Sequence, residues 1–373
     1  MARTTERLST LWLFGVVWGG CVFSIAGDVT WFDSGEFLTG AAGLGVAHPT
    51  GFPLLSLVGF VAGYIPVGPL PFRVACVSGL AVAASTALCY RAACHLGVRP
   101  ALAWVAACFY PAVYVTWLHA TIVEAYALNG LLLAALCSVA LAPSPNLRLA
   151  AIITGLGLGS HVTFVLSAAL VWVFLLARYT PWRRLLELVA WGLLGATVIL
   201  YLPVAASRDP WLLWTDTSTW TGLVEHLTGA GIRDAFADEM GGSTTSWHDL
   251  QQWCRNAAGP LGVVLIPLTA LGLSIQVQKP HAALVLGLLL VDLLFSVLLN
   301  PMGQADLQTG MPGAWCVALG LGLIAGRNHS GWHATVLSWA VVLVFVGSAA
   351  FEHLDAREEE TLAGDWGRSL LMH

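Results

Sequence analysis

"LRLAAIITGLGLGSHVTFVLSAALVWVFLLARY", residues 147–179, is apolar nearly throughout and too long for one ordinary membrane span. A helix rises about 1.5 Å per residue and a bilayer core is about 30 Å thick, so roughly 20 residues cross it. Gly155, Gly157 and Gly159 break the run just before Ser160-His161. Whether it is one span or two shorter helices meeting at Ser160-His161 sets the direction of everything that follows. A second segment, Phe52 to Val67, poses the same problem, being short and interrupted by Gly59, Gly63 and Pro66.

Charge arbitrates between the readings. Suppose residues 52–67 only dip into the outer leaflet and residues 147–179 form two helices. Then Arg3, Arg7, Arg91, Arg99, Arg148, Arg178, Arg183, Arg184, Lys279 and Arg327 all fall on the cytoplasmic side, as the positive-inside rule requires of short loops. The opposite pair of choices exports Arg91, Arg99 and Arg148. The clear spans lie near residues 10–27, 73–95, 100–118, 122–142, 185–204, 258–277, 281–299, 310–326 and 332–351. With the split segment this gives about 11 transmembrane helices and a re-entrant or interfacial helix after the first.

Composition agrees. The chain has 373 residues, 57% hydrophobic and 10% charged, with a mean hydropathy of +0.77. A soluble domain carries roughly 25% charged residues, and a β-barrel would alternate polar and apolar residues in short strands. The fold class is therefore an all-α polytopic membrane protein. No basic tract interleaved with aromatics points to nucleic acid. The eight cysteines show no metal-ligand spacing, and most lie in apolar runs where cysteine packs as a small hydrophobe. Arg3 and Arg7 precede an apolar stretch and Ser24-Ile-Ala26 could pass for a cleavage site, but the stretch reads as an uncleaved first span. One domain is expected over residues 1–351, with outer loops at 28–72 and 205–257, and a short outer-face tail at 352–373.

The polar chemistry gathers on the outer face. Asp33-Ser-Gly-Glu36 reads two ways: as a capping box starting a short helix, or as paired acids at the membrane edge. Apolar surroundings disfavour a carboxylate's charged form and suit it to accept a proton. His48-Pro49-Thr-Gly51-Phe-Pro53 is a rigid turn, with His48 either a turn residue or a group binding phosphate near Asp33. Glu124, Tyr126 and Asn129 lie close on one helix and are costly against lipid, so they should face the interior. Ser160 is expected to cap the half-helix after His161, whose amino end would hold an anion. Arg208 is the natural partner of a lipid phosphate among the outer basic residues Arg73, Arg208, Arg233 and Arg255, and Asp306 is another outer acid. The acids could bind a divalent ion, but no compact ligand motif compels it.

These stretches have a likeness. "DSGEFLTGAAGLGVAHPTGFPL", "ATIVEAYALNGL", "GLGLGSHVTFVL" and "YLPVAASRDPWLLWTDTSTWTGLVEHLTG" resemble, in this order, bacterial membrane proteins similar to the eukaryotic transmembrane protein O-mannosyltransferases, within the GT-C glycosyltransferases. The resemblance implies a GT-C-like bundle and transfer of a sugar, mannose or another hexose, from a polyprenyl-phosphate donor. The acceptor would be a protein or glycan on the non-cytoplasmic face of a bacterial inner membrane. It implies an essential acid in the first outer loop, matched by Asp33, with Glu36, His48, Glu124 and His161 at the other recurring polar positions. Two departures stand out: Trp214-Thr-Asp216-Thr replaces Trp-Gly-Asp-Pro, and no Arg directly follows Leu202-Pro203. The expected reaction is inverting, with Asp33 as base, Glu36 or Glu124 orienting it, and Arg208 and His161 neutralising the departing phosphate. A transporter or flippase is the rival class, with Asp292 inside a span its one supporting feature.

Overall fold

The computed structural model describes residues 2–25, 27–179, 182–230, 247–276, 278–300 and 310–328. Among them the chain is helical, and the only extended pairing is one isolated parallel bridge between Val46 and Leu213. Helix α1 (Ala2–Ser24) packs on α4 (Leu70–His95) through Leu13, Val17 and Cys21, a four-residue spacing that makes one buried stripe. Its other side carries exposed Leu11, Trp12 and Phe23, as expected where a helix meets acyl chains. Between them lie α2 (Ser34–Gly43) and α3 (Pro53–Gly63), the latter opening with the proline that fits a first turn. Eleven residues rise only about 16 Å, so α3 cannot cross a bilayer, in line with a re-entrant or interfacial helix. Arg73 holds the α3–α4 turn by donating to the Gly63 and Ile65 carbonyls.

The run at 147–179 divides as its glycines suggest, into α8 (Leu147–Gly157) and α9 (Val162–Tyr179), with the turn at residues 158–161. Helix α10 (Leu185–Ala196) continues through a 3-10 turn into α11 (Tyr201–Ala206). Arg148 near the start of α8 bonds Glu187 near the start of α10, where Arg184 joins the pair. Further along, a Cβ on Gly155 would stand 2.0 Å from the Gly192 carbonyl oxygen. Contacts at both ends in the same order mean that α8 and α10 run parallel, so α9 must run back between them. Residues 147–179 are a helical hairpin with its cationic feet together and Ser160-His161 at its tip.

The described residues do not confirm the expected count of about eleven spans. Among the described residues, four helical stretches are long and apolar enough to cross: Glu6–Ser24, Leu70–His95, Leu185–Ala206 and Pro280–Leu299. Two bent pairs raise this to six. The first is α5 (Pro100–Ala112) with α6 (Tyr114–Thr121), bent by 68° beside Pro111, whose ring removes a donor and clashes with the preceding turn. The second is α13 (Trp247–Ala258) with α14 (Gly262–Ser274), bent by 76° at Gly259-Pro260. The rest are short apolar helices, including α7 (Tyr126–Ala140) and α16 (Met311–Asn328). Helix α15 (Pro280–Leu294) ends in a π-helical turn at Phe295–Leu299. The expected span at 332–351, the tail, Arg233 and Asp306 lie outside the described residues. All eight cysteines are unpaired.

Candidate active site

Asp33 is the N-cap of α2, yet its side chain makes no capping bond. Glu36 does not reach back to it either. Instead Glu36 accepts the His48 backbone N–H at 2.6 Å and faces His48 Nδ1 at 3.0 Å. The donor that a capping box would satisfy, the Asp33 N–H, is taken at 3.2 Å by Glu124 from just before α7. Glu124 is buried and also accepts from the Ala125 N–H at 3.4 Å. Both acids at the head of α2 are thus relieved of helix duty, and the Asp33 carboxylate, 46% exposed, stands 3.9 Å from His48 Nε2.

The environment separates the two acids. Burial pushes the Asp33 carboxyl above the ordinary aspartate value; His48 opposes this and the Glu36 charge adds to it. Burial acts the same way on Glu36, but the hydrogen bonds and charge of His48 outweigh it and hold Glu36 below its ordinary value. Glu36 is the acid that stays ionised, and Asp33 the one that takes up protons more readily.

The long outer loop closes over this cluster. Val46 N–H donates to Leu212 and Trp214 N–H to Val46, which lays the loop beside the His48 turn. Tyr201 donates to the Gly45 carbonyl at 2.7 Å. His48 sits among rings, with centroids of Phe52 at 5.0 Å, Phe37 at 5.5 Å and Trp214 at 6.0 Å. Helix α12 (Trp220–Thr228), capped by Thr219, brings His226 against Gly51. Gly51 has φ +84°, and a Cβ there would meet Leu202 at 2.6 Å and His226 Nε2 at 2.8 Å, so only glycine allows this approach. His226 is 1% exposed, and burial, with the charge of His48, lowers its pKa to about 4 against the opposing pull of the Ala47 backbone and the Glu36 charge. It is a neutral imidazole beside the cluster that sequence reasoning missed. Its signal was a histidine on a short capped helix inside the last quoted motif.

Beneath the cluster, Thr50 reaches toward the Ser160 carbonyl at 3.4 Å, joining the His48 turn to the hairpin tip. Ser160 does not cap α9. Its hydroxyl turns to Asn129 Oδ1 and Gly157 O, both at 2.9 Å. The cap is His161, whose Nδ1 accepts the Thr163 N–H at 3.3 Å and lies 2.9 Å from Thr163 Oγ1, itself bonded by Asn129. That engages one amino-end donor which was expected to be free for an anion. Tyr126, Asn129, His161, Thr163 and Asp292 line a small cavity of about 10 Å³, room for a water molecule. Asp292 accepts from Trp253 Nε1 at 2.9 Å and from the Gly313 N–H at 3.2 Å. It ties α13, α15 and α16 together.

Arg208 is exposed at the end of α11, within electrostatic reach of the Tyr201 hydroxyl. Ion pairs join His48 with Asp33 and Glu36, and Glu187 with Arg148 and Arg184; Arg208 is in neither group. Asp33, Glu36 and His48 bring ligand-type atoms within 4.8 Å of one another. Glu36 Oε1 accepts the His48 backbone N–H and Oε2 faces Nδ1.

The stretch bearing these groups is also the stretch shared with known proteins. Residues 33–183 match the family described as protein O-mannosyl-transferase TMEM260 N-terminal domain. Over 212 residues the chain is 30% identical to the protein O-mannosyl-transferase TMEM260 of Mus musculus. It resembles an O-mannosyl-transferase. The match covers 52% of this chain but only 30% of the mouse protein. The TMEM260-like region opens on Asp33 and contains Glu36, His48, Glu124, Tyr126, Asn129, Ser160 and His161, whereas Arg208, His226 and Asp292 lie beyond it. Its apolar helices and this likeness make the chain an integral membrane protein.

Proposed function

We propose that this chain is an inverting membrane glycosyltransferase of GT-C type, moving a hexose from a polyprenyl-phosphate donor to a hydroxyl acceptor outside the cytoplasm. The TMEM260 likeness favours mannose and a protein acceptor, and the apolar surround suits a lipid-linked donor. The reading rests on one observation above the others: Asp33 stands at the head of a helix without capping it. Its carboxylate is half-exposed, raised in proton affinity, and next to a histidine held by a second acid. A group so placed can take the acceptor proton as the hydroxyl oxygen attacks the sugar's anomeric carbon. The bond from that carbon to the lipid phosphate then breaks, the phosphate keeping the electron pair.

The remaining groups divide the work. Glu124 fixes the start of α2 through the Asp33 N–H, which sets where the carboxylate stands. Tyr126, Asn129 and His161 offer polar groups to the sugar, and Arg208, exposed just beyond α11, is the cation for the departing phosphate. Positive and donor groups arranged beforehand around developing charge are usually a large catalytic contribution. Transport finds less support, because Trp253 and the Gly313 N–H already engage Asp292 as a tie between helices.

The test is transfer by purified protein in detergent with polyprenyl-phosphate mannose and a serine- or threonine-containing peptide, reading both glycopeptide and released lipid phosphate. The wild type should turn over, and Asp33→Asn should lose on the order of 10²–10⁴-fold in kcat, the usual size of a general-base contribution. Equal turnover by the variant would remove Asp33 as the base.

A further inference from the structure

Resting on the reading of Asp33 as the base, we propose that Glu36 is a positioning residue that fixes the tautomer of His48, which then carries the proton away from Asp33. An ionised carboxylate only accepts hydrogen bonds. Facing His48 Nδ1 at 3.0 Å, Glu36 requires the proton there, which in a neutral imidazole leaves the lone pair on Nε2. That nitrogen is the one 3.9 Å from Asp33 Oδ2. The gap is too wide for a hydrogen bond and about 1 Å from becoming one. The two side chains differ in freedom to close it. His48 is wedged among Phe37, Phe52 and Trp214 and tied to Glu36 by backbone as well as ring. Asp33 is half-exposed and makes no capping bond, so Asp33 is the group that moves.

The proton balance follows. The acceptor O–H proton passes to Asp33 as the new carbon–oxygen bond forms and the lipid phosphate departs with its electron pair. The neutral Asp33 carboxyl swings to His48 Nε2 and donates that proton. The resulting imidazolium lies between Glu36 and the restored Asp33 carboxylate, and returns the proton to solvent along the exposed side of Asp33. Without the relay the base is reset only by water reaching a partly buried carboxyl.

A merely structural Glu36, anchoring the turn through the His48 backbone N–H, predicts something different, and Glu36→Gln separates the two. Its amide oxygen can still accept the backbone N–H, but its NH₂ group donates toward Nδ1 and drives the ring proton to Nε2. The experiment uses the full chain in detergent with ¹⁵N-labelled histidine, the pH raised until the ¹⁵N shifts report a neutral His48 ring, with His48 assigned by signal loss in His48→Gln. The wild type should carry the proton on Nδ1. Glu36→Gln should carry it on Nε2 and lose roughly 10²–10⁴-fold in kcat, as wrong-tautomer variants of acid–histidine pairs do, with KM changed less than about threefold. Glu36→Asp, still acceptor-only, should keep the Nδ1 proton and outperform Gln, which guards against a folding defect as the cause. A wild-type proton on Nε2, or a flipped Glu36→Gln with full kcat, overturns the relay. Full transfer by Asp33→Asn alongside an Nδ1 proton on His48 overturns the base and leaves the tautomer standing.

Discussion

At the scale of single residues, the Asp33–Glu36 spacing carried two meanings, and a distant residue decided between them. Capping boxes satisfy the N-cap N–H locally. Here Glu124 does so from just before α7, and a sequence window around α2 cannot see it. This makes Glu124 the structural acid. Glu124→Ala strands the Asp33 and Ala125 N–H groups and should cost about 1–3 kcal/mol in detergent unfolding, while Glu124→Gln, keeping one acceptor, should recover most of it. Asp33→Asn should leave the unfolding midpoint nearly unchanged, since no capping bond is lost. Asp33 also predicts a pH profile. A base works only when ionised, and burial raises its pKa, so the acid limb of kcat/KM should lie above the ordinary aspartate value near 3.9. A limb at or below that value would show that Asp33 is not the base.

At the scale of elements, the helical hairpin was legible because glycines and arginines carry separate signals, one for the break and one for the side of its feet. The packing of α8 on α10 was not, since it depends on which glycine faces which backbone. A Cβ at Gly155 meets the Gly192 carbonyl oxygen at 2.0 Å and the Ala196 nitrogen at 2.6 Å, whereas one at Gly192 meets only the Ala151 oxygen at 3.7 Å. Replacing glycine by alanine inside a helix gains up to about 1 kcal/mol from propensity, and forcing packed backbones apart costs about 1–3 kcal/mol. Gly155→Ala should therefore lower the unfolding midpoint and Gly192→Ala should hold or raise it. Helix α12 yields a pH prediction. The folded pKa of His226 is depressed from 6.5 to about 4, so its contribution to stability is intact above pH 6.5 and lost as pH falls through that window. His226→Phe should flatten the pH dependence of unfolding between pH 6.5 and about 4, whereas an unchanged slope would place the titration elsewhere.

At the scale of the whole molecule, hydropathy found the apolar matter but not its bends, because a proline or Gly-Pro step inside an apolar run bends the chain without lowering its hydropathy. The 68° bend beside Pro111 and the 76° bend at Gly259-Pro260 are both of this kind. The proposed orientation does not depend on the span count, since it rests on the hairpin alone. Arg148 at its foot pairs with Glu187 of α10, where Arg184 joins, and its tip touches the His48 turn through Thr50 and Ser160. The acid cluster must therefore lie toward the membrane face opposite the arginines. On the proposed orientation, positive-inside places the arginines in the cytoplasm and Asp33 outside, the side on which the proposed reaction needs it. Single cysteines at two exposed positions test this: Ser218→Cys in the loop leading to α12 and Arg183→Cys beside the hairpin feet, in a background with the native cysteines replaced. A membrane-impermeant maleimide applied to intact cells should label the first and spare the second, and inverted vesicles should reverse the result. Labelling of Arg183→Cys from outside would invert the molecule, set Asp33 against the cytosol, and leave the proposed lumenal or periplasmic acceptor out of reach of the base.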